Sequence, residues 1–179
     1  MKAPERIETP RLILRKPTPG DAESIFARYA SDPEVTRLLS WPTHQSIDDT
    51  RVFLAFSESE WQRWPAGPFL IESRSSHQLL GSTGFAFESP TEAATGYVLA
   101  KDAWGRGYAT EALSAIVSLS PLLGLRRLYA LCHPEHSASA HVLEKCGFQC
   151  ETLVHHPAAF PNLASDQHHR CLLFSRSFG

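Results

Sequence analysis

A chain of 179 residues with a formal charge of −2 and 42% apolar residues has the length and balance of one globular domain. Acids and bases are interspersed, so no basic block offers a nucleic-acid surface, and no apolar run approaches the roughly 20 residues that cross a bilayer. The opening residues, MKAPERIETPRL, lack the apolar stretch of a signal peptide and read as those of a cytoplasmic protein.

The stretch from Arg11 to Pro17 alternates apolar and charged residues, as a half-buried strand does. PGDAESIFARYASDP then sets Ile25, Phe26 and Tyr29 at helical spacing, with Asp21 as a cap and Asp32-Pro33 as a stop. A second helix is expected from about Ser46 to Trp64, opened by a capping box of Ser46 with Asp49 and stopped by Pro65 and Gly67. PFLIES, LLGSTGFAF and ATGYVLA follow as strands, joined by the hairpin connections RSSHQ and ESPTEA. After a glycine-bearing loop, a helix runs from near Ala109 toward Pro121 and Gly124. The strand RRLYALCH, a short helix SASAHVLEKCG ended by Gly147, and the strands FQCETLV and RCLLFSRSF complete the order. A long connection, HHPAAFPNLASDQHH, separates the last two strands. Hairpins in the middle and β-α-β crossovers later imply an α+β fold, a mixed sheet with helices packed on it, in one domain spanning 1–179.

The stretch AWGRGYATEAL carries the clearest chemistry. Gly105 and Gly107 let the main chain turn sharply and approach a ligand, directly ahead of a helix whose first N–H groups are unpaired and partly positive. Several amides can then face one anion such as a pyrophosphate, with Arg106 adding a charged hydrogen bond and Tyr108, Ala109 and Thr110 forming the first turn. A glycine-rich turn without a ligand is the alternative. A P-loop is excluded because no Gly-Lys-Ser/Thr occurs. A dinucleotide fingerprint fails too, because Thr110 stands where its third glycine belongs and Arg126-Arg127 where its acid does.

GYVLAKDAWGRGYATEAL resembles the acyl-coenzyme-A-binding segment of the GNAT N-acetyltransferase superfamily, with Trp104, Gly107 and Ala109 at the defining positions. HPEHSASAHVLEKCGF resembles that superfamily's later helix, and ETPRLILRKPTPGDAESIF and LLGSTGF look like its RimJ/RimL-like branch. The resemblance covers roughly Glu8 to Phe178. It implies a central, mostly antiparallel twisted sheet of about seven strands flanked by helices, with two parallel strands splayed to hold coenzyme A. The pantetheine arm would lie between GYVLA and RRLYALC. A bulge near Val98 and Leu99 would free N–H groups for pantetheine and for the thioester oxygen. The implied reaction is direct attack of an amine on acetyl-CoA in a ternary complex.

Against that pattern, Trp104 replaces the usual Gln or Arg and is expected to pack rather than bind phosphate. His136 replaces the usual asparagine and remains a candidate donor to pantetheine. Ser139 keeps the family serine and is the candidate proton donor to the thiol, a serine that simply starts the helix being the alternative; separately, Leu143 excludes the tyrosine acid that many members carry. Ala94 stands where the branch often has a glutamate, which leaves His133, Glu92 and Glu88 as candidate bases. The nine histidines and four cysteines show no zinc spacing, so no metal is expected, and the thiols read as reduced. Trp41, Phe53, Trp61 and Trp64 read as core, with one or two of them, Trp41 above all in its loop before Pro42, as candidates for an acceptor wall.

The expected protein is thus an acetyl-CoA-dependent N-acetyltransferase acting on a protein N-terminus or small-molecule amine, as a monomer or homodimer with no nucleic-acid or membrane partner. A catalytically inactive acyl-CoA-binding module is the alternative.

Overall fold

The computed structural model describes residues 1–155, 160–164 and 170–179. Among the described residues eight strands form one sheet: β1 (Arg6–Glu8), β2 (Leu12–Arg15), β3 (Pro68–Ser73), β4 (Leu79–Ser89), β5 (Glu92–Leu99), β6 (Arg127–Cys132), β7 (Gln149–His155) and β8 (Arg170–Ser177). Their order is β1-β2-β3-β4-β5-β6-β8-β7, and every neighbouring pair is antiparallel except β5 with β6. β1, one strand beyond the seven expected, carries a single apolar residue, Ile7, and is held by pairing Arg6–Glu8 against Ile13–Arg15.

Strand alternation sorts side chains to two faces. Phe69, Ile71 and Leu99 join one core cluster, whereas Leu70 and Val98 join the other. On the first face lies α4 (Tyr108–Leu119), which buries Ala112, Leu113, Ile116 and Val117 at helical spacing. The second face receives α1 (Ala22–Ile25) through Ala22 and Ile25, and α3 (Ile47–Arg63) through Leu54. The expected Ser46–Asp49 capping box opens α3.

The first helical stretch departs from the expected single helix. After α1, Phe26–Ala30 widens into a π turn, where both the amide and the hydroxyl of Ser31 donate to Phe26 O, at 3.2 and 2.7 Å. Asp32-Pro33 then begins a helix rather than ending one: Asp32 Oδ1 accepts from Glu34 N at 2.9 Å, and α2 runs Pro33–Thr36. This extra turn places Arg37, Leu38 and Leu39 over the open end of β5. The last helix, α5 (Ser137–Lys145), is ended by Gly147 at φ 79°.

Candidate functional site

The cleft begins where the two parallel strands part. β5 and β6 pair only at Glu92–Ala94 with Arg127–Tyr129; beyond Ala94, β5 stays on β4 while β6 stays on β8. The bulge expected near Val98 and Leu99 is not there. The register runs unbroken from Gly81↔Leu99 to Phe87↔Ala93, and the irregularity lies between Phe87 and Ser89. None is needed, because the departure of β6 itself uncovers one edge of β5. Ala100 donates to Leu80 O at 2.7 Å, so ladder alternation turns the main-chain groups of Val98 toward β4 and those of Tyr97 and Leu99 toward the gap. Val98 therefore offers the cleft its side chain, and Leu99 its backbone.

The glycine loop sits at the open end of this gap. Gly107 precedes α4 at φ 76°, ψ 8°, a left-handed conformation that favours glycine, and Gly105 has φ 72°. The amides of Tyr108, Ala109 and Thr110 begin the helix and have no carbonyl acceptor among the described residues. Trp104 is neither packed in the core nor free: it is 44% exposed and its Nε1 donates to Leu99 O at 2.8 Å, closing the corner between strand and loop. The Arg106 side chain is exposed, and its carbonyl accepts from Arg11 Nη1 at 2.8 Å.

That last bond belongs to a clamp invisible in the sequence. Glu111 Oε1 accepts from Thr9 Oγ1 at 2.6 Å and from Arg11 N at 2.8 Å, while Oε2 accepts from Arg11 Nε at 2.6 Å. The Arg11 guanidinium also lies 4.7 Å from the Tyr108 ring centroid. Burial pushes the Glu111 carboxyl up, but the bonds from Thr9 and Arg11 outweigh it and hold the group below its ordinary value. The segment before β2 thus fixes the loop from about 100 residues away.

Two cavities meet over the gap, of about 340 and 460 Å³. Tyr97, Val98, His136 and Ser139 line both. At this junction Tyr97 Oη lies 2.8 Å from Ser139 Oγ, so a hydroxyl on β5 meets a hydroxyl in the first turn of α5. The larger cavity runs toward Trp104, Gly105 and Ala109; the smaller runs toward Trp41, Phe56 and Tyr129. Tyr97 escaped the sequence reading because its partner, Ser139, lies 42 residues away.

The candidate bases fare differently. His133 lines the smaller cavity and is 6% exposed, edge-on to Phe160 with ring centroids 5.0 Å apart. Its Nδ1 accepts from Glu135 N at 3.2 Å. That bond uses the ring's lone pair and leaves the proton on Nε2, so the imidazole presents a donor rather than a base. Burial lowers the affinity of both His133 and His136 for a second proton. Glu92 lines neither cavity: it pairs with Arg127 at the closed end, where β5 and β6 still touch. The Glu88 carboxylate receives the Tyr129 hydroxyl. Leu143, in the position of the missing tyrosine, is 2% exposed and lines the smaller cavity.

Trp41 does stand in a cavity wall, and Asn162 holds its loop there. Asn162 Nδ2 donates to Thr36 O at 2.8 Å and Trp41 O at 2.9 Å, and its Oδ1 accepts from Thr43 N at 2.9 Å. Trp61 is buried and donates to Pro68 O, and Trp64 stacks on Phe87, as core residues do. The histidine pairs at 155–156 and 168–169 fall on or beside residues outside the described ones. Among the described residues no cluster of three or more His, Cys, Asp or Glu side chains is placed to hold a metal.

Comparison with known proteins sets this geometry in a family. A model of the "Acetyltransferase (GNAT) domain" matches residues 11–149. YoaA of Bacillus subtilis (strain 168), an uncharacterized N-acetyltransferase, is 37% identical over 156 residues, covering 83% of this chain and 85% of its own. RimL, a ribosomal L7/L12 α-N-protein acetyltransferase solved with coenzyme A, shares the fold at TM-score 0.84 and 20% identity, covering 97% of this chain and 98% of its own. MccE, the microcin C7 self-immunity acetyltransferase solved with acetyl-CoA and AMP, does so at TM-score 0.80 and 19% identity, covering 98% of both chains. Fold, parted strands and a family match over most of the sequence agree: the chain belongs to the GNAT acetyltransferase family.

Proposed function

We propose that the protein transfers the acetyl group of acetyl-CoA to a primary amine by direct attack within a ternary complex, the amine being a protein N-terminus or a small molecule. The observation that carries this reading is the β5/β6 gap, with unpaired amides at one end and an aromatic cavity at the other. An acyl-CoA fits what these residues offer. The amides of Tyr108, Ala109 and Thr110 suit a pyrophosphate, assisted by the left-handed turn at Gly105 and Gly107. The edge of β5 at Tyr97 and the Leu99 amide suits the amide-bearing pantetheine arm, and the junction beside Ser139 suits the thioester. RimL and MccE, solved with coenzyme A and acetyl-CoA, support the choice of donor, and RimL's own acceptor supports an α-amine as one acceptor class.

The work of such a site is positioning and proton traffic. The amine must enter past Trp41 as the free base and reach the thioester carbon at the junction. Protonating the departing sulfur falls to Ser139, which lines both cavities. With Glu92 and Glu88 engaged elsewhere and His133 presenting an N–H, the amine's proton passes first to water rather than directly to a side-chain base.

The test is release of free thiol from acetyl-CoA in the presence of amino acids, short peptides with free α-amines and small aromatic amines. Turnover above background is expected with one of these classes. Thermal stabilisation by coenzyme A with no turnover across the panel would make the protein an acyl-CoA-binding module instead, a reading to which Ala94 and Leu143 lend weight.

A further inference from the structure

The family's tyrosine acid is missing from α5, where Leu143 takes its place, yet a tyrosine hydroxyl still reaches the junction from the opposite wall. Tyr97 lies on β5, on the edge that β6 abandons. Its single proton has two acceptors in reach, Ser139 Oγ at 2.8 Å and Ser139 O at 3.1 Å, and the shorter contact favours Oγ. Both side chains line both cavities, at the place where donor and acceptor must meet.

We propose that Tyr97 is a positioning residue for Ser139, donating its O–H to Ser139 Oγ so that the serine's own proton is aimed at the leaving sulfur. This rests on the acetyl-transfer reading above. A serine hydroxyl has one proton and a free rotor. Alone in a cleft it can turn that proton to a helix carbonyl, as serine hydroxyls in helices do. Accepting from Tyr97 occupies a lone pair of Oγ and leaves the proton to point into the cavity. Burial keeps the Tyr97 phenol protonated well above its usual range, so it remains a donor across neutral pH. In the step itself the amine nitrogen bonds the thioester carbon, and the C–S bond breaks with its electron pair on sulfur. Ser139 O–H gives its proton to that sulfur, and the proton shed by the nitrogen restores the serine hydroxyl by way of water. Tyr97 keeps its own proton throughout.

The experiment compares wild type, Tyr97→Phe, Ser139→Ala and the double variant in thiol release from acetyl-CoA with the amine panel. Coenzyme A affinity and melting temperature are measured on each. Tyr97→Phe is expected to lower kcat about tenfold, the size of one well-placed hydrogen bond, with KM for acetyl-CoA unchanged. On the Ser139→Ala background it is expected to cost less than about twofold, because the group it positions is gone. A crystal structure of Tyr97→Phe is expected to show the Ser139 hydroxyl turned from its present rotamer. Additive losses, an unchanged rotamer, or a fall confined to coenzyme A affinity would each overturn the positioning role while leaving acetyl transfer in place. A wild-type protein that binds coenzyme A but releases no thiol would overturn both.

Discussion

On the side of the cleft that faces α4, the site is made of backbone: three amides without a carbonyl acceptor among the described residues, a left-handed glycine and the edge of β5 that β6 leaves. On the side that faces α3, it is made of side chains drawn from distant segments: Trp41 and Phe56, His133 after β6, and Asn162 bracing the Trp41 loop from 121 residues away. A main-chain site asks little of the sequence except glycine at positive φ and small residues at a helix start. It suits a ligand that never changes. A side-chain site can be altered residue by residue without disturbing the sheet, which suits the partner that differs between members of a family. The proposed division is therefore coenzyme to the backbone half and acceptor to the side-chain half, and it can be broken from either end.

The largest effect is expected at Gly107. Gly107→Trp forces an indole onto a backbone at φ 76° and fills the space before the Tyr108–Thr110 amides. Losing two charge-assisted hydrogen bonds there should weaken coenzyme A binding by about a hundredfold or more, read by calorimetry. The fold should persist, because an added Cβ would meet only Arg11 Nη2, at 3.5 Å. Unchanged affinity would remove the phosphate from this loop.

Next comes the clamp behind that loop. Arg11→Ala removes the bond to Arg106 O and the cation beside Glu111, leaving a carboxylate in the first turn of α4 where an anion is to bind. Coenzyme A affinity should fall about tenfold and melting temperature by about 2–4 °C, equivalent to about 1 kcal/mol. Adding Glu111→Gln should recover part of the affinity. The linkage has a definite sign. Glu111 titrates below its ordinary value in the folded protein, so its contribution to stability is complete above the ordinary glutamate range, near pH 4.3, and is lost as pH falls through the lowered folded value. The gap between wild type and Arg11→Ala should narrow on acidification. A gap that widened would mean that another group carries the clamp.

A smaller and more selective effect is expected at Asn162. Asn162→Ala deletes the bonds to Thr36 O, Trp41 O and Thr43 N and releases the loop bearing Trp41. KM for the acceptor should rise about five- to tenfold, with coenzyme A affinity unchanged, since the pocket wall loosens but its chemistry remains. Equal losses toward both substrates would dissolve the division into two halves.

The same contrast explains what could be read from the chain. The turn and helix start in AWGRGYATEAL were legible because backbone conformation leaves local marks, and the Ser46–Asp49 box marked α3 for the same reason. Asp32-Pro33 carried a mark that points two ways: proline ends a preceding helix, but an Asp-Pro pair also opens a following one, and here it opened α2. Tyr97 could not be recognised because nothing local ties its hydroxyl to Ser139, 42 residues on, even where the splay of GYVLA from its neighbour is expected. Asn162 lay in a long polar connection with no periodicity, and nothing local ties it to residues 36–43. The Glu111 clamp joins Thr9 and Arg11 to a helix about 100 residues on, and one sequence carries no signal for that pairing.

The smallest expected effect concerns Glu92, and a null result there is informative. Counting alternate residues back along β5 from the gap puts Glu92 on the same face as Ala94, the place of a family glutamate, so a regular strand would aim it at the cleft. The structure pairs it instead with Arg127, its cross-strand partner at the last point where β5 and β6 touch. The pair is about one-third exposed, which limits its contribution to about 1 kcal/mol or less. Glu92→Gln should therefore leave kcat and its pH dependence within about twofold of wild type, and shift melting temperature by no more than about 4 °C. A hundredfold loss of kcat with normal substrate binding would restore Glu92 as the base, and would require the strands to close over the acceptor from the paired end of the gap rather than from its mouth.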